Sequence, residues 1–538
     1  MTPPTTKPLP RHATTGAFIG LLSVGLFLAV AQFVALWTGR SSAPVLAIGQ
    51  RFVDHYTPPW LADFAKKQFG TNDKAVLIVG IFVVIALIAA AVGVLAMRHP
   101  EFGTAGIVAL AAIAGFTAQG LPDAGRAASL PAIAGAVAAL IAFRGLLRAA
   151  KPRPLRLTLD AFAAGQRPGK PALETVGSND RRRFLVASGS AAAAAVVAGA
   201  VGASGSRRGA AAAASRDGAG LATVTPSATA APGAAVTATA QLTVPGLPPF
   251  FTPNKDFYRI DTALSVPEID ANTWSLRIHG MVDKELTLSY ADLRAMPAVE
   301  HDVTLCCVSN PVGGPLISNA RWTGVLLTDV LAMAGVHQDA TQLFSTSADG
   351  WTSGSPTSVV LDGRAAMLAY GMNGEPLPIP HGFPMRLVVP GLYGYVSATK
   401  WLTDIELTTM DRQGYWVPRG WSQLGPVKTE SRIDVPNSRN PAVAGLSPIA
   451  GVAWSQHKGI AKVEVSIDEG PWLEARLAGE DVTDTWRQWV YDGWRATQGA
   501  HRIRVRATDK TGYVQTATVA DVVPDGATGY HEISVNVG

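Results

Sequence analysis

The chain has 538 residues, 48% of them hydrophobic and 16% charged, with a formal net charge of +5. One hydrophobic core sustains roughly 250 to 300 residues, so several domains are expected. The basic residues gather between Lys151 and Arg183 without interleaved aromatics, which argues against nucleic-acid binding, and the two cysteines, Cys306 and Cys307, are adjacent and cannot staple distant segments, which excludes a disulfide framework.

Up to about residue 203 the chain is membrane-like, and beyond about 243 it is ordinary globular sequence. Within residues 1–150, Thr15 to Trp37 and Ala75 to Met97 are long enough to cross a hydrocarbon core as helices, which takes roughly 20 residues. Thr104 to Gly120 and Ser129 to Leu147 are shorter, richer in alanine and glycine, and interrupted by Pro131, but almost no charge falls inside them. A four-helix transmembrane bundle is expected. No histidine lies within a span, His12, His55 and His99 being outside or at the ends, so no haem is expected inside the bundle.

Residues 151–203 read as a cytoplasmic basic loop, an arginine motif and a fifth transmembrane helix. Lys7, Arg11, Arg98 and eight Lys or Arg between Lys151 and Arg183 put the N-terminus in the cytoplasm, with Lys66, Lys67 and Lys74 as the exception. Asn179-Asp-Arg-Arg-Arg-Phe-Leu185, directly before the apolar run Leu185 to Ala203, resembles a twin-arginine export signal, although three arginines also suit a simple helix anchor. Residues 204–241, mostly Ala, Gly, Ser and Thr, are expected to be a flexible tether outside the membrane. The expected location is a bacterial cytoplasmic membrane, with everything downstream extracytoplasmic.

Residues 242–436 mix short β-rich runs such as Trp274 to His279 with helical ones such as Leu326 to Ala334, without a βαβ cadence, which points to an α+β domain. Its chemistry-bearing stretches follow in order. They are Thr304-Leu-Cys-Cys307-Val-Ser-Asn310, then Ala320-Arg-Trp322-Thr-Gly324, then Ala369-Tyr-Gly-Met-Asn373-Gly374-Glu-Pro-Leu-Pro378, then His381-Gly-Phe-Pro-Met-Arg386 and Lys400-Trp401. A thiolate is a soft ligand for a heavy transition metal, and a basic, glycine-rich run suits an anion.

This arrangement resembles the sulfite oxidase family of molybdenum enzymes, from Pro253 to the C-terminus. The resemblance implies a sulfite-oxidase-type molybdopterin-binding domain, a molybdenum–molybdopterin cofactor and Cys307 as the metal ligand, with Asn310 three residues on and Cys306 as a buried small hydrophobe. His381, Arg386, Lys400 and the Pro390-Gly391-Leu-Tyr393-Gly394-Tyr395 run are implied to hold the pterin and its phosphate, Arg386 as a bidentate fork, His381 as a hydrogen-bond donor and the run through backbone N–H groups. Thr252-Pro-Asn254-Lys-Asp-Phe257-Tyr258-Arg259-Ile-Asp261-Thr262 partly matches a further pterin-contacting segment, which carries over Asn254 and Arg259; Asp261 and Thr262 stand where Asn and His are usual.

Sulfite oxidases proper have arginines just after the ligand cysteine, where this chain has Asn310-Pro311-Val312-Gly313-Gly314, and a tyrosine near the position of Trp351. A substrate dianion without a paired cation bears its full desolvation cost. Arg487 matches either an arginine contributed by the family's second domain or a structural ion-pair partner. Residues 437–538 show alternating strands at Lys462 to Ile467, His501 to Arg506 and Tyr530 to Val537, which implies an immunoglobulin-like β-sandwich that in this family commonly makes a homodimer.

The expected function is two-electron oxygen-atom transfer on a small substrate, with electrons exchanged with a cytochrome or quinone-linked partner. A reductase of S-oxides or N-oxides such as methionine sulfoxide is the alternative, and a metal-free tethered binding protein is the second.

Overall fold

The computed structural model describes residues 11–58, 61, 64, 68, 73–122, 124–150, 176–203, 205–221 and 239–538. The expected basic loop over 151–175, Lys66 and Lys67 of the first outer loop, and positions 222–238 of the expected tether lie outside the described residues. The chain forms two compact units, Met1–Ala210 with Ala263–Val266, and Ala211–Thr262 with Pro267–Gly538.

The first unit is helical: α1 (Arg11–Thr38), α2 (Pro44–Tyr56), α3 (Asp73–Ala96), α4 (Pro100–Gln119), α5 (Leu130–Ala150) and α6 (Val176–Ala203). Among the described residues, five segments are long and apolar enough to cross a membrane: Ala13–Thr38, Lys74–Ala96, Pro100–Gln119, Leu130–Ala150 and one within Arg182–Ala219. Glycines let the helices approach closely. A Cβ on Gly20 would run into the Ala89 carbonyl, one on Gly93 into the Gly16 carbonyl and one on Gly135 into the Phe27 carbonyl.

The expected tether carries a helix, α7 (Arg207–Ala219). Alanine is the best helix former, and Arg216 anchors the helix end by donating to the Leu377 carbonyl at 3.1 Å, the Pro376 carbonyl at 2.7 Å and Glu375 at 3.0 Å. Composition suggested flexibility, and docking overrides it there.

Ten strands follow: β1 (Ser275–Gly280), β2 (Leu286–Ser289), β3 (Val299–Cys306), β4 (Ile317–Leu326), β5 (Gln342–Ser347), β6 (Thr352–Pro356), β7 (Met367–Met372), β8 (Glu375–Pro376), β9 (Arg386–Val388) and β10 (Leu402–Thr408). One sheet has the order β2-β1-β10-β5-β6, with β1 and β10 parallel. The other runs β3-β4-β7-β8, with β9 also on β7. Their shared core includes Trp322, Tyr370, Phe383, Leu387 and Leu402.

The C-terminal strands are β11 (Glu430–Val435), β12 (Gly445–Leu446), β13 (Ile449–Trp454), β14 (Ile460–Ile467), β15 (Leu473–Glu474), β16 (Arg476–Leu477), β17 (Arg487–Tyr491), β18 (Arg495–Ala496), β19 (Gly499–Asp509) and β20 (His531–Val537). Two four-stranded sheets, β11-β13-β17-β16 and β15-β14-β19-β20, enclose a core of Ile449, Val463, Val465, Trp489, Ile503 and Val505. β11, just before the boundary expected after residue 436, pairs with β13 across Glu430↔Trp454 and Arg432↔Val452.

Candidate active site

Successive residues of a strand face opposite sides, and the two sulfurs therefore part company where β3 ends. Cys306 is 1% exposed, whereas Cys307 is half-buried, and both remain thiols. Burial first, then the nearby Glu430 carboxylate and Cys307, pushes the Cys306 thiol well above its ordinary range. Cys307 sits in a tight turn in which its N–H donates to the Leu316 carbonyl at 3.0 Å and its carbonyl accepts from the Asn310 N–H at 3.0 Å. The Asn310 side-chain oxygen accepts from the Leu316 N–H at 2.8 Å, and the Ser309 hydroxyl lies 3.0 Å from the Cys307 sulfur. Asn310 thus shapes the loop that carries the thiol.

Arg386 opens β9, is 4% exposed and stacks over the Trp322 ring at 4.7 Å. Trp322 lies five residues along β4 from Ile317, the partner of Cys306, or roughly 16 Å of strand. Partly buried Tyr258 lies near both: burial raises the pKa of its phenol well above the ordinary value, Cys307 and then Cys306 raise it further, and Arg386 opposes the rise. Thiol and guanidinium are thus both near enough to act on the phenol. Gly394 borders it, since a Cβ there would lie 3.8 Å from both the Tyr258 hydroxyl and the Cys306 carbonyl.

At the basic end, Arg386 donates to the His381 carbonyl at 3.1 Å and to the Ala398 carbonyl at 3.4 Å, while its buried Nε has no partner. Burial holds its pKa down to about 10, so it stays charged at neutral pH. His381 Nε2 donates to the Asn254 carbonyl at 2.9 Å. This corrects the expected donor role: with Nε2–H engaged, neutral His381 presents Nδ1 as an acceptor. Burial and then the Arg386 charge hold its pKa at about 4.

Lys400 and Arg259 both meet Asp261, at 3.0 and 2.7 Å. Lys400 also donates to the Ile260 carbonyl at 3.0 Å, and burial draws its pKa down to about 8. Arg386, Lys400 and Arg259 gather three cations around Asp261, with Asp349 also near Lys400, beside a neutral imidazole; such a cationic cluster suits a phosphate monoester, and the orphaned Arg386 donor is what an anionic oxygen would satisfy. The residues fit a phosphate-bearing pterin. Asp261, which sequence reasoning marked only as a departure from the family pattern, ties two of these cations together.

Other expected site residues stand apart. The Asn254 side chain bonds Glu375 at 2.6 Å and Asn373 at 2.8 Å, so its backbone carbonyl is what meets the site through His381. A Cβ at Gly391 would lie 2.8 Å from the Arg364 guanidinium. The Tyr393 N–H donates to the Gly425 carbonyl at 2.7 Å, and its hydroxyl accepts from the Lys428 N–H at 3.5 Å, on the side of the C-terminal sheets. Trp351 packs against the domain core in the turn whose Ala348 N–H donates to the Trp401 carbonyl at 2.8 Å, which sets it near Lys400. Arg487 gives Nε to the Ala478 carbonyl and Nη1 to the Ile460 carbonyl, both at 2.8 Å, bonds that tie its guanidinium inside the C-terminal sheets as a structural strut.

Residues 263–416 match the oxidoreductase molybdopterin binding domain family. The chain is 31% identical over 322 residues to mitochondrial sulfite oxidase of Rattus norvegicus, covering 51% of this chain and 58% of that protein. It is 30% identical to sulfite oxidase of Gallus gallus, covering 51% and 70%. The uncharacterized oxidoreductase YuiH of Bacillus subtilis is 36% identical over 156 residues, covering 29% of this chain and 76% of that one. The chain spans 58% of the length of the rat enzyme it matches.

Proposed function

The chain belongs to the sulfite oxidase family of molybdopterin-dependent oxidoreductases, and from that premise we propose that it performs two-electron oxygen-atom transfer on a small substrate outside the cytoplasmic membrane. The observation that carries the proposal is the buried Arg386 with an unpartnered Nε, stacked on Trp322 of the strand β4 that also pairs with the cysteine-bearing end of β3.

Cys307 would hold the molybdenum through its sulfur. Arg386, with Lys400 and Arg259 bridged by Asp261, would hold the phosphate, and His381 Nδ1 would accept from the pterin ring. When bound, the molybdenum–pterin group supplies the two-electron redox change and the oxygen exchange. Tyr258 keeps its phenolic proton at neutral pH and offers a donor near both thiol and guanidinium. Burial of Arg386 and of the Asp261 carboxylate strengthens their contacts. Electrons then leave to a cytochrome or quinone-linked partner. The C-terminal sheets are read as an immunoglobulin-like sandwich with a part in homodimer formation, and the run Arg181 to Arg183 as an export signal.

One feature favours the reduction of a neutral S-oxide or N-oxide over the oxidation of sulfite. The loop after Cys307 carries no cation, and the arginine behind it, Arg432, is paired with Asp434 at 2.7 Å. Elemental analysis of the purified full chain tests the enzyme reading: molybdenum at about one per chain supports it, and near zero from cofactor-competent cells supports a tethered binder. Assays with sulfite and cytochrome, then with sulfoxides and a reduced dye, separate the two directions of transfer.

A further inference from the structure

We propose that the C-terminal sheets act as a vice on the Cys307 loop, with Arg432 and His531 as positioning residues for the thiol. The inference rests on Cys307 being the metal ligand, and its geometry is independent of the substrate.

Before the ligand, β3 is gripped at Thr304, three residues upstream. Its N–H donates to the Asp484 carbonyl at 3.0 Å, its carbonyl accepts from Gln456 Nε2 at 2.9 Å, and its hydroxyl accepts from the Trp486 N–H at 2.7 Å. The Asp484 carboxylate also takes His301 of β3 at 2.8 Å and His457 of the sheets at 3.1 Å. Every polar group of Thr304 thus has a partner outside its own domain.

Behind the ligand, the loop Asn310–Leu316 is held by β11 and β20. Arg432 Nη1 donates to the Gly314 carbonyl at 2.9 Å, while Nε is fixed by Asp434 at 2.7 Å. The His531 ring lies flush against Gly313, whose φ of 74° only glycine adopts readily and where any Cβ would run into the imidazole. His531 is itself held, because its Nδ1 accepts from the Ile433 N–H at 2.9 Å. The position of the Cys307 sulfur is therefore set by contacts on both sides that come from the other domain, and residues that orient a metal ligand typically alter metal affinity about 10- to 100-fold.

The test uses the full chain in detergent, purified without cofactor, with Arg432→Met, Arg432→Lys and Gly313→Ala. The rate of iodoacetamide labelling is read separately at Cys307 and Cys306 by peptide mass, beside the thermal unfolding midpoint and the molybdenum bound when the cofactor is supplied. Arg432→Met and Gly313→Ala are expected to speed Cys307 labelling about threefold or more and to lower bound molybdenum about tenfold, with Cys306 labelling near wild type even where the midpoint falls, since Gly313→Ala sets a Cβ against His531 and Arg432→Met removes the partner of Asp434. Arg432→Lys, which keeps a donor for the Gly314 carbonyl, is expected to restore most of the wild-type rate. A Cys307 rate that rises less than about threefold in folded Gly313→Ala and Arg432→Met overturns the proposal, as does an equal rise at both cysteines with a lowered midpoint. If Arg432→Met fails to fold, Gly313→Ala decides. A wild-type chain that binds no molybdenum yet shows the labelling pattern would defeat the metal-ligand reading and leave the vice intact.

Discussion

The two sulfurs differ in surroundings more than in chemistry. Cys306 is 1% exposed, and its thiol is held protonated by burial and by Glu430, whereas Cys307 is half-buried beside Ser309. Cys307→Ser is expected to reduce bound molybdenum and turnover below about a hundredth of wild type, while Cys306→Ser keeps most of both at a stability cost of about 1 kcal/mol; metal analysis and a melting curve check the pair, and the opposite pattern would mean that the other sulfur is the ligand. Glu430 gives a pH signature. It is 5% exposed, one carboxylate oxygen has no partner, and burial pushes its pKa from 4.5 up to about 8. Between those values the folded chain keeps a proton that the unfolded chain has lost, so stability falls as pH rises through that window. Glu430→Gln removes the titration. It should leave the melting temperature at pH 5 near wild type and raise stability at pH 9 by on the order of 4 kcal/mol, and an equal effect at both pH values would remove Glu430 as the cause.

At the scale of elements, apolar length made legible the helices long enough to cross a membrane, because such a helix demands a continuous apolar run that no distant contact can replace. Their packing was less legible, since it depends on which glycines meet. Gly93 abuts the Gly16 carbonyl across α1 and α3, so Gly93→Leu should lower the unfolding midpoint of the first unit, a cost of about 2 kcal/mol, whereas Gly80→Leu, at a position with open space, should not; equal effects would rule out close packing as the reason. The helix α7 was hidden in an alanine-rich run that composition labels a linker, and the pairing of β11 with β13 crosses the apparent boundary after residue 436. Strand pairing is a property of two segments, and one segment alone does not declare it.

For the whole molecule, the proposed extracytoplasmic catalytic half rests on the apolar helices, the positive-inside count and the arginine run Arg181 to Arg183. Protease added to right-side-out spheroplasts is then expected to reach residues beyond 239 while sparing a tag placed within 151–175. Protection of the globular half together with cleavage of that tag would put the site in the cytosol. The same scale explains why the C-terminal sheets belong in any account of the metal site: Thr304, Gly313 and Gly314 are all held from across the domain boundary.

The order and chemistry of residues determined the family, the thiolate-and-anion character expected of the site and the helices long and apolar enough to cross a membrane, because ligand type, charge and apolar length are written locally. Tertiary structure alone decided which groups meet. Asp261 ties Lys400 to Arg259, His381 turns its donor toward Asn254, Tyr393 gives its backbone N–H to Gly425, and Arg487 braces the C-terminal sheets. Each of those outcomes is a hydrogen bond or a contact between segments distant along the chain, and such partners are chosen by packing.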